Sequence, residues 1–402
     1  MLSTVYSSMA GLQTFSKGLD VISGNVANVN TPGYKGNQAI FSDVYYGYQY
    51  EDGERPYLKS GVSGSGSEML RTTINFSQGD LRETGNETDL AIDGEGFFIV
   101  EKDGERLYSR VGQFSFNNDD ILVSAASEAQ VMAFDESGNL VPLSLEGLKT
   151  MPAQPTENLS FLGNLSLGSS QHVISDVEVV DSLGSIQKLN LTFRNNNSNT
   201  PRSWFVDIRD EDNNLIASDL EIRFQDNGSP AKGYNSVSFD FQPTDRAKQN
   251  INLSFGDVGS FSQATSFSGA STSDLALDDN DGYQQGALLS LSFDEDGVLE
   301  ANYSNEQTQK GMQIALAHIH DKQSLTQLGQ GVFRANPSQS IDIGRPNQDV
   351  YGRIQGNKLE SSNVELSQQF TEMVIVQRGY QASSQMLTAV NEMMQQLLEA
   401  SK

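Results

Sequence analysis

The chain has no cysteine among its 402 residues. That removes thiol nucleophiles, disulfide staples and Cys-ligated zinc together, while leaving the compartment open. Basic residues are scarce as well: 26 Lys and Arg stand against 52 Asp and Glu, for a formal net charge of −26. A surface so acidic argues against DNA, RNA or an anionic membrane as partner, because phosphate recognition needs clustered Lys and Arg. It also opposes casual self-association, so any assembly has to rest on specific contacts. Nowhere do 18 apolar residues run together, so no transmembrane helix and no membrane insertion are expected. The start has no basic stretch and no unbroken apolar segment, so no signal peptide is read there. Apolar residues make up only 37%. With Gly, Ser, Asn, Asp and Gln plentiful, this favours short strands and many turns over one large α/β core. The length fits about two to four domains.

What the chain does have is an amphipathic helix at each end. Leu2, Val5, Met9, Leu12, Leu19, Ile22 and Val26 recur at spacings of 3, 4, 3, 7, 3 and 4, close to a heptad stripe, with Ser16 at the missing position. The plain reading is a core helix packed on its own domain. Gly11, Gly18 and Gly24 count against it, since each costs about 1 kcal/mol relative to Ala. Such a helix is not stable alone in water. It needs partners, and its glycines admit a close neighbouring backbone. Pro32 and Gly33 end it, because Pro32 drives Thr31 out of the α region. Residues 1–42 carry Asp20 against Lys17 and Lys35, whereas 43–149 carry 20 acids against 8 bases. The first helix is therefore nearly neutral and the segment after it acidic.

The closing helix is predicted to start at a capping box, Ser362 with Glu365. Its stripe runs Leu366, Phe370, Met373, Gln377, Tyr380, Ser384, Leu387, Asn391, Met394 and Leu398. At ~1.5 Å per residue this helix spans about 55 Å, too long for small β domains to cover.

Between the helices the pattern is β. Residues 33–68 read as an extended connector with Tyr45, Tyr46, Tyr48, Tyr50 and Tyr57. Residues 69–149 with 283–358 read as a first β domain, and 150–282 as a second, inserted between them. Lys102-Asp103-Gly104-Glu105 and Asp294-Glu295-Asp296-Gly297 are hairpin turns. Met312 to Ile319 reads as one strand. Trp204, the only tryptophan, is expected to anchor the inserted core. The fold class expected is mainly β with long terminal α-helices, nested as helix, β, β insert, β, helix, the terminal helices pairing as a coiled coil.

No active site emerges. His318 and His320 share one face of a strand, but spacing indicates no third metal ligand. Asp278-Asp279-Asn280-Asp281-Gly282 places its glycine wrongly for a calcium loop. The Gly/Ser run at 61–66 lacks the strand and helix a nucleotide site requires. No catalytic residue, metal or cofactor is expected.

The stretch Gly18-Leu19-Asp20-Val21-Ile22-Ser23-Gly24-Asn25-Val26-Ala27-Asn28-Val29-Asn30-Thr31-Pro32-Gly33-Tyr34-Lys35 resembles the N-terminal signature of the bacterial flagellar rod and hook family. Phe41-Ser42-Asp43-Val44 does too. Leu359-Glu360-Ser361-Ser362-Asn363-Val364-Glu365-Leu366 and Gln377-Arg378-Gly379-Tyr380-Gln381-Ala382 resemble its C-terminal signature. Asp89 to Phe98 and Tyr303-Ser304-Asn305 fit as well, while 160–282 matches least. Gly379, in mid-helix, departs from the expected helix former, and the connector is unusually rich in tyrosine. The family's short rod members lack a large insert, so the length here points to the hook.

The resemblance implies a flexible tubular homopolymer joining rod to filament and transmitting torque, with paired terminal helices lining a channel. It implies, as partners, the flagellar rod, the hook cap, hook–filament junction proteins and the flagellar type III export apparatus, through which the chain leaves the cell without a cleaved signal. The contact residues expected between copies are Leu2, Val5, Met9, Leu12, Leu19, Ile22, Val26, Asn25 and Asn28, with Leu366, Phe370, Met373, Gln377, Tyr380, Leu387, Met394 and Leu398. A distal rod protein, and an extracellular adhesin with a helical stalk, are the alternatives.

Overall fold

The computed structural model describes residues 2–44, 46–48, 62–64, 66–243, 246–269 and 272–400. It is mainly β, with helix α1 at Leu2–Ala27 and helix α2 at Leu366–Ala400. The chain divides into two compact units. The first comprises 1–146, 291–301 and 310–402, and the second 147–290 and 302–309.

In the first unit, alternating apolar residues build a sheet around a hairpin. Phe97–Lys102 pairs with Glu105–Ser109 across Asp103 and Gly104, both at positive φ, as a two-residue hairpin turn requires. The first of these strands also pairs with Gln130–Phe134 and with Leu316–Ile319. Phe97, Ile99, Tyr108, Met132, Ala317, Ile319 and Phe333 form the core. Phe76 closes it, its ring 5.9 Å from Phe97 and 5.5 Å from Phe333.

Two expectations change here. The strand expected over 312–319 is two strands, Thr308–Ile314 and Leu316–Ile319, which take different neighbours. Residues 37–43, expected in an extended connector, form a ribbon with Ser67–Ile74 instead. That ribbon lies along α1, and Thr14 donates its hydroxyl to the Ser67 carbonyl at 2.7 Å. Tyr45, Tyr50 and Tyr57 lie outside the described residues, as do the side chains of Tyr46 and Tyr48.

The second unit holds a four-stranded antiparallel meander, Gln171–Val180, Ile186–Asn195, Ser203–Asp210 and Leu215–Arg223. Its other sheet centres on Asn158–Asn164, which pairs parallel with Gln249–Ser254 and antiparallel with Ala276–Asn280. Every second residue of the meander points inward: Leu189, Leu191 and Phe193, then Trp204, Val206 and Ile208. Trp204 is fully buried at the centre of that core. Tyr303 and Asn305 belong to this unit. The Tyr303 hydroxyl donates to the Leu148 carbonyl at 2.7 Å, and the Asn305 amide to the Gln284 carbonyl at 2.8 Å.

Candidate polymer interface

The two ends of the chain are tied together where they meet the β-structure. Lys35, just past α1, and Glu360, just before α2, are each 1% exposed. The Lys35 ammonium donates to Glu360 Oε1 at 2.6 Å and to the Ser77 carbonyl at 2.8 Å. The Gly79 N–H donates to the same Oε1 at 2.8 Å, and Arg110 Nε lies 3.8 Å from Oε2. Arg110 also donates to the Gly94 carbonyl at 2.6 Å. Burial pushes both the Lys35 ammonium and the Arg110 guanidinium below their ordinary pKa values, while the Glu360 carboxylate acts in the opposite sense. Removing one partner of such a pair leaves the other charge buried, at about 3–5 kcal/mol. The cluster therefore fixes the points from which both helices depart.

Two asparagines extend the tie. The Asn363 amide donates to the Asn75 and Ser77 carbonyls at 2.8 and 2.9 Å, and its Oδ1 accepts from the Gly36 N–H at 2.8 Å. Asn25 donates to Gln369 Oε1 at 2.8 Å and to the Asn37 carbonyl at 2.7 Å, and accepts from the Asn37 N–H at 2.8 Å. This buried side chain thus joins α1, the ribbon and α2.

From that base the helices run antiparallel. A Cβ on Gly18 would meet Val376 at 3.5 Å, one on Gly379 the Phe15 ring at 2.6 Å, and one on Gly11 the Ser383 hydroxyl at 2.8 Å. The most covered positions of α1 are Ser8, Gly11, Gly18, Ile22 and Asn25, with Thr14 turned toward the ribbon; those of α2 include Gln369, Val376 and Val390. Alternating steps of three and four residues describe this seam, and small or polar side chains dominate it. Gly379 is explained by the ring of Phe15, and α2 runs through it without a break.

The apolar stripes lie elsewhere. Apart from Ile22, which belongs to both, each stripe is displaced one residue toward the C-terminus from the covered seam, about 100° around the helix. Met9 is 54% exposed and Phe370 52%. Leu366, Gln377, Tyr380 and Met394 are exposed too, while Val5, Leu12, Leu19, Val26, Asn28, Met373 and Leu387 are half-buried. Ile22 and Asn25 are buried inside the chain's own junction. The side chains of Leu2 and Leu398 lie outside the described residues. Val374, Ile375, Met386, Met393 and Leu397 add to the exposed apolar surface of α2.

The capping box expected at Ser362 and Glu365 is not formed. Ser362 Oγ accepts from the Val364 N–H at 3.3 Å, and Glu365 accepts from the Ser367 hydroxyl at 2.5 Å. The Asn363 side chain, fully engaged elsewhere, holds this stretch extended, so α2 starts at Leu366. The clamp made by Lys35, Arg110, Glu360 and Asn363 was not legible from spacing. Three of the four fall inside the signature stretches, which was the only signal available.

The stretches considered for chemistry have structural uses. His318 and His320 have ring centroids 5.0 Å apart, and His320 Nε2 lies 2.9 Å from Asp342 Oδ2. Among the described residues, no group of three or more His, Cys, Asp or Glu is placed to hold a metal ion. Asp281 Oδ1 accepts from the Glu157 and Asn158 N–H groups, each at 2.9 Å.

Three family profiles match the chain. "Flagella basal body rod protein" covers residues 6–35, "Flagellar hook protein FlgE/F/G D1 domain" 91–141, and "Flagellar basal body rod FlgEFG protein C-terminal" 355–400. The flagellar hook protein FlgE of Borreliella burgdorferi is 27% identical over 442 residues, covering 99% of each chain. That of Escherichia coli K12 is 27% identical and covers 97% of this chain and 98% of the relative. The Helicobacter pylori 26695 protein is 32% identical over 72% of this chain and 42% of its own length. The crystal structure of H. pylori flagellar hook protein FlgE2 superposes with a TM-score of 0.51 at 12% identity, over 70% of this chain and all of that one, a likeness of fold.

Proposed function

The chain belongs to the bacterial flagellar rod and hook protein family, and from that premise we propose that its terminal helices build a flexible tubular homopolymer through the stripe displaced from their own pairing. The chain is a structural subunit of the flagellar hook and not an enzyme. The observation that carries the contact is the offset. Within one chain the helices pair through Ser8, Gly11, Gly18, Val376 and Gly379, and leave Met9, Phe370, Ile375 and Met394 in solvent. Full burial of each such side chain by a neighbour contributes about 1.5–3 kcal/mol. An exposed apolar surface of this kind marks an interaction site.

The steps of three and four along the buried seam support a coiled-coil pairing, the unit a channel-lining layer would repeat. A terminal helical domain, a first β domain and an inserted outer β domain of 150–282 are the proposed divisions, nested in that order. Polar, acidic outer faces let subunit contacts shift as the tube bends, while the helices keep the permanent contact. The flagellar rod, hook cap, hook–filament junction proteins and type III export apparatus are the proposed partners, with the polymer outside the cell. Electron microscopy of the assembled protein tests this reading. Short curved tubes are expected, and a straight rigid tube would assign the chain to the distal rod.

A further inference from the structure

A groove opens between the helix pair and the strand 37–43, lined by Val21, Ala39, Phe41, Ile375 and Val376. It lies near the base of the pair, where both helices join the β-structure. At the other end α2 outruns α1. The register set by Gly18 on Val376, Phe15 on Gly379 and Gly11 on Ser383 carries residue 2 to about residue 392. Residues 393–400 therefore project about 12 Å beyond α1 at ~1.5 Å per residue. Met393, Met394 and Leu397 are exposed on that overhang.

The two features cannot meet within one chain, because Ile375 and Leu397 are roughly 33 Å apart along α2. We propose that the overhang of one copy seats Met393, Met394 and Leu397 in the groove of a second copy. This rests on the polymer reading above and names its contact. The features sit at opposite ends of one helix pair, so copies placed end to end bring tip to base. Two different surfaces mating in this way form a heterologous interface, which builds an open helical array when its rotation does not close a ring. Charge opposes the match little: in a chain with 52 acids, the groove lining carries only one, Glu372, and the overhang only one, Glu399. Methionine adapts to a groove whose walls shift, which suits a contact that persists while the polymer bends.

The absence of cysteine provides the test. Gln38 lines the groove and is exposed, and so is Leu397 on the overhang. The double variant Gln38→Cys, Leu397→Cys is assembled, oxidised and run on a denaturing, non-reducing gel. A ladder of covalent oligomers is expected from the double variant, and monomers from either single variant. An assembled double variant that yields only monomers overturns the proposal and leaves the polymer reading intact. The wild-type polymer, imaged to side-chain detail, reads the same contact without substitution. Residues 393–397 of a second copy in the groove uphold it; a groove left open, or filled by another segment, overturns it. A wild-type chain that forms no polymer overturns the underlying reading, and this contact with it.

Discussion

Replacing Gly379 by alanine should weaken the assembled protein, although alanine is the better helix former. The helix preference alone favours Ala by about 1 kcal/mol. The added Cβ, however, would lie 2.6, 2.7 and 2.9 Å from Cζ, Cε1 and Cε2 of Phe15. Carbon contacts are comfortable at about 3.5–4.0 Å, so the ring must retreat by roughly 1 Å or leave the seam. Overpacking of this kind costs about 1–3 kcal/mol. The balance is a net loss of up to about 2 kcal/mol. Removing the ring should reverse the sign. In a Phe15→Ala background these three closest contacts are gone, and Gly379→Ala should stabilise by about 1 kcal/mol. The four proteins form a double-mutant cycle, read from helical circular dichroism as the polymer is dissociated by heat or urea. An alanine at 379 that stabilises equally in both backgrounds would refute the claim that this glycine exists to seat Phe15.

Glu360→Gln leaves Lys35 and Arg110 without their buried anion, and should cost about 3 kcal/mol in urea denaturation; a loss under about 1 kcal/mol would mean that the cluster does not hold the two ends. In the second unit, the hydrogen bonds from Arg194 hold the Asp207 carboxyl below its usual range, and burial opposes them. A depressed carboxyl contributes stability above its unfolded pKa of about 4 and loses it as pH falls through the folded value. Acid below about pH 4 should therefore destabilise this unit, and Asp207→Asn should flatten that dependence; an unchanged acid slope would remove the Arg194 pair as its source. Trp204, wholly buried and the only tryptophan, makes fluorescence a reporter of the second unit alone. Trp204→Ala should cost about 3–5 kcal/mol there. The Trp204 emission of the wild-type chain should shift to the red as that unit unfolds; emission already red in the native state would contradict its burial.

Much of the β-structure was legible because inward residues alternate along each strand, as Leu189, Leu191 and Phe193 do. The turns at Asp103-Gly104 and Asp296-Gly297 were legible because both glycines sit at positive φ. The break at Ala315 was not, since apolar residues run on both sides of it and only the change of neighbours divides the strands. The terminal helices were found, but their pairing face was not. Apolar periodicity marks what avoids water in the final assembly. Within one chain the seam is dominated by glycine, serine and asparagine, with Ile22, Val376 and Val390 between them, and small or polar residues leave no mark in an apolar pattern. The Lys35–Glu360 pair joins positions 325 apart in sequence, beyond the reach of any local signal. The helix start was misplaced because the Asn363 side chain is taken up by Gly36, Asn75 and Ser77, and the stretch before Leu366 stays out of the helix.

In the proposed polymer the terminal helices are completed by other copies of the chain. Hydrogen exchange on monomer and polymer addresses this directly, because exchange reports the free energy of local opening amide by amide. In dilute monomer the amides of 2–27 and 366–400 should exchange rapidly while those around Phe97 and Trp204 stay protected, and assembly should then slow the helices by orders of magnitude. Helices already as protected in the monomer as in the polymer would contradict the account.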